Sequence, residues 1–85
     1  LAETEIGVVS DYFAKVGVAG IEIESGALKI GDTIRVLGHT TDFTFKVESM
    51  QIEHEQIESA GPGDSIGIKV GDRCRRGDKV FLVTE

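Results

Sequence analysis

Two imidazoles, one thiol and a handful of hydroxyls are the side chains here that could act as a neutral-pH base, a soft metal ligand or a nucleophile. Cys74 stands between Arg73 and Arg75, and cations at that distance favour a thiolate. A thiolate nucleophile also needs a base, and no spacing pattern brings His39 or His54 to it. Cys74 therefore reads as an ordinary strand-end thiol. A single cysteine excludes an internal disulfide framework and a Cys-based zinc cluster. His54 lies between Glu53 and Glu55, but on a strand those neighbours face the opposite side, so both histidines read as surface residues. Ser10-Asp11 and Ser49 lack partners for nucleophilic chemistry. The expectation is no catalytic residue, no metal and no cofactor: a protein that is not an enzyme.

What remains is charge. The net charge is −6, with a pI near 4.8, the wrong sign for a generic nucleic-acid binder. The distribution is uneven. Residues 69–79 carry Lys69, Arg73, Arg75, Arg76 and Lys79 against Asp72 and Asp78, a net +3, which leaves −9 on the rest. From Val47 to Ile68 there is no Lys or Arg, while Glu48, Glu53, Glu55, Glu58 and Asp64 accumulate. The five cations are the candidate contact for RNA or another partner, and the alternative is solvated loop charge that keeps a small domain soluble.

Residues 1–85 leave room for one domain with a thin core. No apolar run approaches the roughly 20 residues of a membrane span, so no membrane partner is expected. No secretory leader is visible, and a cytoplasmic location is the expectation, although the sequence starts at Leu1 rather than Met. The hydrophobic period is 2: Ala19, Ile21 and Ile23; Ile34 and Val36; Phe43, Phe45 and Val47; Ile66 and Ile68. Each set predicts a half-buried strand. With Ile6, Val8, Met50, Ile52, Val80 and Leu82 they make the expected core. The one stretch that could be read as helical, 53–60, is stopped by Gly61-Pro62-Gly63. Inward alternation slips between Val47 and Met50, which a bulge at Glu48-Ser49 would repair.

Eleven glycines, about 13% of the chain against a usual ~7%, call for many tight turns. Gly-Asp occurs four times, at 31–32, 63–64, 71–72 and 77–78. Glycine accepts a positive φ and aspartate bonds nearby backbone N–H groups, so these pairs read as turns. The expected architecture is all-β.

From Gly26-Ala27-Leu28-Lys29-Ile30-Gly31-Asp32 through Val36 the chain resembles the β-barrel domain (domain 2) of translation elongation and initiation factors of the Tu type. The likeness continues through Ser49-Met50-Gln51, through 57–67 with Gly61, Gly63 and Asp64, and through Arg76-Gly77-Asp78-Lys79-Val80. It implies a small closed, mostly antiparallel, Greek-key-like barrel of about six to eight strands. No G-x-x-x-x-G-K-[ST] loop is present, so GTP binding is not expected of this chain. In the tRNA-carrying members the strand matching 49–55 supplies a Glu and basic neighbours to the aminoacyl-end pocket. Here it reads Met50-Gln51-Ile52 and then Glu53-His54-Glu55, a departure that argues against aminoacyl-tRNA capture. The resemblance implies a non-enzymatic binding module that contacts ribosomal RNA or a translation protein. The alternative is a protein–protein module, or an accessory barrel detached from a larger enzyme such as a collagenase-like peptidase.

Overall fold

Three of the four Gly-Asp pairs organise the molecule, here described for residues 2–85 from a computed structural model. In Lys29-Ile30-Gly31-Asp32, Gly61-Pro62-Gly63-Asp64 and Arg75-Arg76-Gly77-Asp78, the third residue has φ of 97°, 92° and 93°. The aspartate then closes the turn twice. Its N–H donates to the carbonyl of the first residue at 3.0–3.1 Å. Its carboxylate accepts the N–H of that same residue at 3.0, 2.9 and 2.8 Å. Glycine third and proline second are the residues that a type II turn favours.

Each clasp also grips one buried apolar residue elsewhere in the chain. The Gly31, Gly63 and Gly77 N–H groups donate to the carbonyls of Val47, Ile23 and Val9. The N–H groups of those three residues donate back to the Asp32, Asp64 and Asp78 carbonyls, all at 2.8–2.9 Å. Two residues thus oppose one, which is a bulge with glycine in the left-handed position. Gly71-Asp72 makes no such arrangement: its glycine has no positive φ, and Asp72 caps Arg73 N–H instead.

Immediately after each clasp a strand begins. The strands are β1 (Ala2–Phe13), β2 (Val18–Ile23), β3 (Leu28–Lys29), β4 (Thr33–Leu37), β5 (Asp42–Lys46), β6 (Met50–Ile52), β7 (Glu55–Ile57), β8 (Ser59–Ala60), β9 (Ser65–Lys69) and β10 (Lys79–Thr84). All pairings are antiparallel. Eight strands run in the order β5-β4-β10-β1-β2-β9-β6-β7, and β3 pairs with β8. The outer strands β5 and β7 share no ladder, and the segment after β3 ties the two ends together. Ile30 N–H donates to Glu58, just past β7, and the next amide, Gly31, donates to Val47, just past β5. The result is a small antiparallel barrel with a filled interior.

Most of the alternation-based core is buried: Ile6, Ala19, Ile21, Ile23, Ile34, Val36, Val47, Met50, Ile66, Ile68 and Val80. Phe43, Phe45, Ile52 and Leu82 pack against it half-buried, with the two rings stacked at 5.6 Å. Val8 is not in the core; Val9 is, at 1% exposure. The cause is β1 itself, whose register shifts between Glu5 and Gly7 against β10 and between Val9 and Asp11 against β2. Each inserted residue turns an inward spacing of two into three, so Ile6, Val9 and Tyr12 face the interior. Gly7 is required at the first shift, because a Cβ there would run into the Glu22 carbonyl.

Two further expectations change. The slip at Glu48-Ser49 is not a bulge within one strand; β5 ends at Lys46, and 47–49 cross to β6 at the other end of the sheet. The 53–60 stretch holds no helix: it carries the turn after β6, then β7 and β8. On the outer face, Arg35 of β4 holds Asp42 through two bonds of 2.8 Å and Glu3 at 3.0 Å. The guanidinium's hydrogen bonds keep the Asp42 carboxyl below its usual range.

Two measurements test this account. A Cβ on Gly63 and one on Gly71 both meet open space, so only backbone strain separates them. Gly63→Ala should cost about 1–2 kcal/mol in urea denaturation, whereas Gly71→Ala should be neutral or stabilising by up to about 1 kcal/mol. Equal costs would remove the clasp from the explanation. Phe45 keeps one side open, so Phe45→Ala should fall below the ~3–5 kcal/mol of a fully buried ring, and Ile34→Ala should cost about 2–5 kcal/mol.

Candidate functional site

The basic stretch forms a loop pinned between the β1–β2 hairpin and the third clasp. Val70 N–H donates to the Gly17 carbonyl in the hairpin, and Arg75 provides the first residue of the clasp. Its cations divide into two groups. Arg76 donates to the Ser10 carbonyl at 2.9 Å and lies 3.4 Å from Asp11, and Lys79 lies 3.5 Å from Glu5. Lys69, Arg73 and Arg75 are exposed and make no ion pair among the described residues. Arg73 and Arg75 form a ridge between two shallow depressions. One, of about 410 Å³, is lined by Asp11, Tyr12, Ala14, Cys74 and Arg76; the other, of about 310 Å³, by Thr40 to Phe43 and Asp72. Lys69 sits apart on β9, where it shares a third hollow with Lys46.

Cys74 does not behave as its neighbours imply. The three arginines around it turn outward, while its side chain is 2% exposed. Burial, aided by the Asp78 charge, pushes the thiol up to about 11, so the expected cation-favoured thiolate does not form. His54 is likewise not on a strand. Glu53 and His54 form the two-residue β6–β7 turn, with φ of 51° and 68°. Among the described residues no group of three His, Cys, Asp or Glu could hold a metal ion. Among the described residues no helix is long and apolar enough to cross a membrane.

The Glu53-His54 turn borders a groove that alternation alone does not reveal. It encloses about 530 Å³ and is lined by Phe13, Val16, Val18, Gln51, Glu53, His54, Ser65 and Gly67. Phe13 and Val16 are 52% and 62% exposed, large apolar side chains left in water at a hairpin tip. The turn geometry normally belongs to Asn-Gly, and each Cβ held at positive φ costs about 1–2 kcal/mol. Glu22-for-Ser65 and Gly20-for-Gly67 pairings place the groove on the outer face of β2 and β9. The readable signal was the apolar Phe13 and Val16 in a turn-like stretch, where polar residues would ordinarily stand.

Residues 17–81 match the family described as elongation factor Tu domain 2. The chain belongs to that family. It is 45% identical over 82 residues to an uncharacterized protease of Methanocaldococcus jannaschii, a match covering 95% of this chain and 20% of that protein. It is 41% identical over 80 residues to a collagenase of Porphyromonas gingivalis, covering 93% and 22%. Elongation factor 1-alpha of Methanocaldococcus jannaschii is 32% identical over 90 residues, covering 91% and 21%. The chain thus spans about a fifth of the length of these curated relatives. Among solved structures, the C-terminal domain of a candidate U32 peptidase from Geobacillus thermoleovorans superposes with a TM-score of 0.88 at 19% identity, covering 95% of this chain and 93% of that one. The shared property is the barrel.

A buried, protonated thiol should react slowly. In the folded protein Cys74 should resist alkylation by iodoacetamide at pH 8 and react fully in urea. The unfolded thiol ionises near its ordinary value of about 8.5, the folded one at about 11. The unfolded state therefore loses its proton first, and stability should fall as pH rises through that window. Cys74→Ser or Ala should flatten this alkaline decline in thermal melts; rapid native alkylation would contradict the burial.

Proposed function

We propose that this barrel is a non-catalytic binding module, carried in a protein of the peptidase kind that it resembles in sequence, and that its loop contacts RNA. The observation that carries the reading is the Arg73–Arg75 ridge. Neither guanidinium makes an ion pair among the described residues. Both stand at the edge of two depressions, bordered by Asp11, Asp42 and Asp72, on a loop whose backbone is held from both sides. A guanidinium offers two parallel donors to a phosphate, and rigid placement lowers the entropy lost on binding. Arg76 and Lys79 act differently. Arg76 ties the loop to β1 through the Ser10 carbonyl and Asp11, and Lys79, on β10, stands beside Glu5 of β1, so both are already engaged within the barrel. Family membership supports the reading by analogy, and fold alone does not fix a ligand.

The acidic remainder limits the affinity. Two phosphates, met by Arg73 and Arg75, give a log–log salt slope of about −1.4 for single-stranded RNA. Anisotropy of a fluorescein-labelled single-stranded RNA should report weak, salt-sensitive binding. The Arg73→Ala/Arg75→Ala pair should abolish it, and Lys15→Ala with Lys46→Ala should leave it nearly unchanged. Binding that survives loss of both arginines, or no binding at low salt, would reject the RNA assignment.

A further inference from the structure

We propose that the groove beside the β1–β2 hairpin is a second binding site, for a lysine or arginine side chain carried on an apolar segment of a partner protein. This goes beyond the RNA reading, because it concerns a different surface and the opposite charge. The floor is Gly67, which faces Gly20 on one side and Gln51 on the other. A Cβ at Gly67 would find Val18 Cγ1 at 3.5 Å and the Gln51 carbonyl at 4.0 Å, and nothing nearer. The space above that glycine is therefore vacant and sized for side-chain atoms.

The walls decide the chemistry. One is apolar, formed by Phe13, Val16 and Val18, and leaves two large hydrophobic side chains more than half exposed. The other is polar, formed by Gln51, Glu53, His54 and Ser65, and Ser65 stands opposite Glu22 on β2. No lysine or arginine lines the groove, and the chain from Val47 to Ile68 contains neither. Lys69, at the end of β9, stands opposite Val18 and lines a separate hollow with Lys46. An aliphatic stem ending in a cation matches both walls. Its methylenes cover Val16 and Val18, and its head takes the Phe13 ring face and the Glu53 carboxylate. An anionic or purely apolar segment would leave one wall unmatched. Glu53 and His54 are the two non-glycine residues with positive φ among those described, so the rim is held in a costly conformation at this groove.

The test uses the 85-residue chain and three fluorescein-labelled probes. These are acetyl-Gly-Leu-Arg-Leu-Gly-amide, the same peptide with Glu replacing Arg, and the RNA trinucleotide CCA. The arginine peptide should bind saturably and more weakly as salt rises. Gly67→Val fills the floor and should weaken it at least about tenfold. Glu53→Gln keeps shape, removes charge, and should weaken it about threefold. If Gly67→Val fails to fold, Gly67→Ala, whose added carbon meets only ordinary contacts, and Glu53→Gln still decide the matter. Neither groove variant should alter RNA binding by the Arg73–Arg75 loop, which separates failure here from failure there. Equal binding of the glutamate peptide, preferential binding of CCA at the groove, unchanged affinity in Gly67→Val or Gly67→Ala together with Glu53→Gln, or no peptide binding at all would each overturn the proposal.

Discussion

A carboxylate that reaches back three residues to a backbone N–H is the interaction on which this barrel depends. Made three times, at Asp32, Asp64 and Asp78, it locks a turn whose glycine then joins the aspartate in gripping one buried residue. The gripped residues, Val47, Ile23 and Val9, come from three distant parts of the chain and are 0–2% exposed. Each clasp thereby ties a surface turn to the core and launches the next strand in register. A backbone hydrogen bond contributes about 0.5–1.5 kcal/mol net, and more when the acceptor is charged. For a domain too small to rely on a deep core, fixing three strand starts this way supplies the specificity that bulk burial cannot.

The clasps were half legible in the sequence. Gly-Asp at 31–32, 63–64 and 77–78 announces a turn through residue chemistry alone, since glycine takes a positive φ and aspartate accepts backbone N–H groups. What it cannot announce is the partner, because Val47, Ile23 and Val9 are far away in the chain. Gly71-Asp72 shows the limit: the same dipeptide adopts neither the positive φ nor the double closure. Alternation served well for β2, β4 and β9, where no residue is inserted. It failed in β1 because two inserted residues convert period 2 into Ile6, Val9 and Tyr12. The candidate loop was visible as charge, but only the folded structure distinguishes Arg73 and Arg75 from Arg76 and Lys79, which have carboxylate partners.

The hairpin from Phe13 to Val18 explains why two unlike surfaces lie side by side. Tyr12 and Ala14 line the depression under the arginines, whereas Phe13, Val16 and Val18 line the apolar groove. Adjacent residues of an extended strand face opposite sides, so one hairpin contributes to both. The Gly17 carbonyl, bonded to Val70 N–H, fixes the tip against the end of β9. Movement there would disturb the basic loop and the groove together. The two unpaired arginines, Arg73 and Arg75, nevertheless stand apart from the groove's carboxylate: they follow β9, while Glu53 and His54 lie across it on the β6–β7 turn.

That separation bears on how one barrel serves proteins as different as elongation factors and peptidases. The clasps involve backbone groups, three glycines and three aspartates, so the framework makes few demands on outward-facing side chains. Gln51 and Gly67, which stand opposite each other and line the groove, and Glu53 at its rim lie outside every clasp. Replacing them alters the size and charge of the groove without loosening a strand start. A residue such as Asp78, by contrast, is 6% exposed and bonded to the Arg75 N–H, and its backbone grips Val9. Selection for binding can therefore work on one set of positions while selection for folding holds another, and a groove can change its ligand while the barrel around it stays the same.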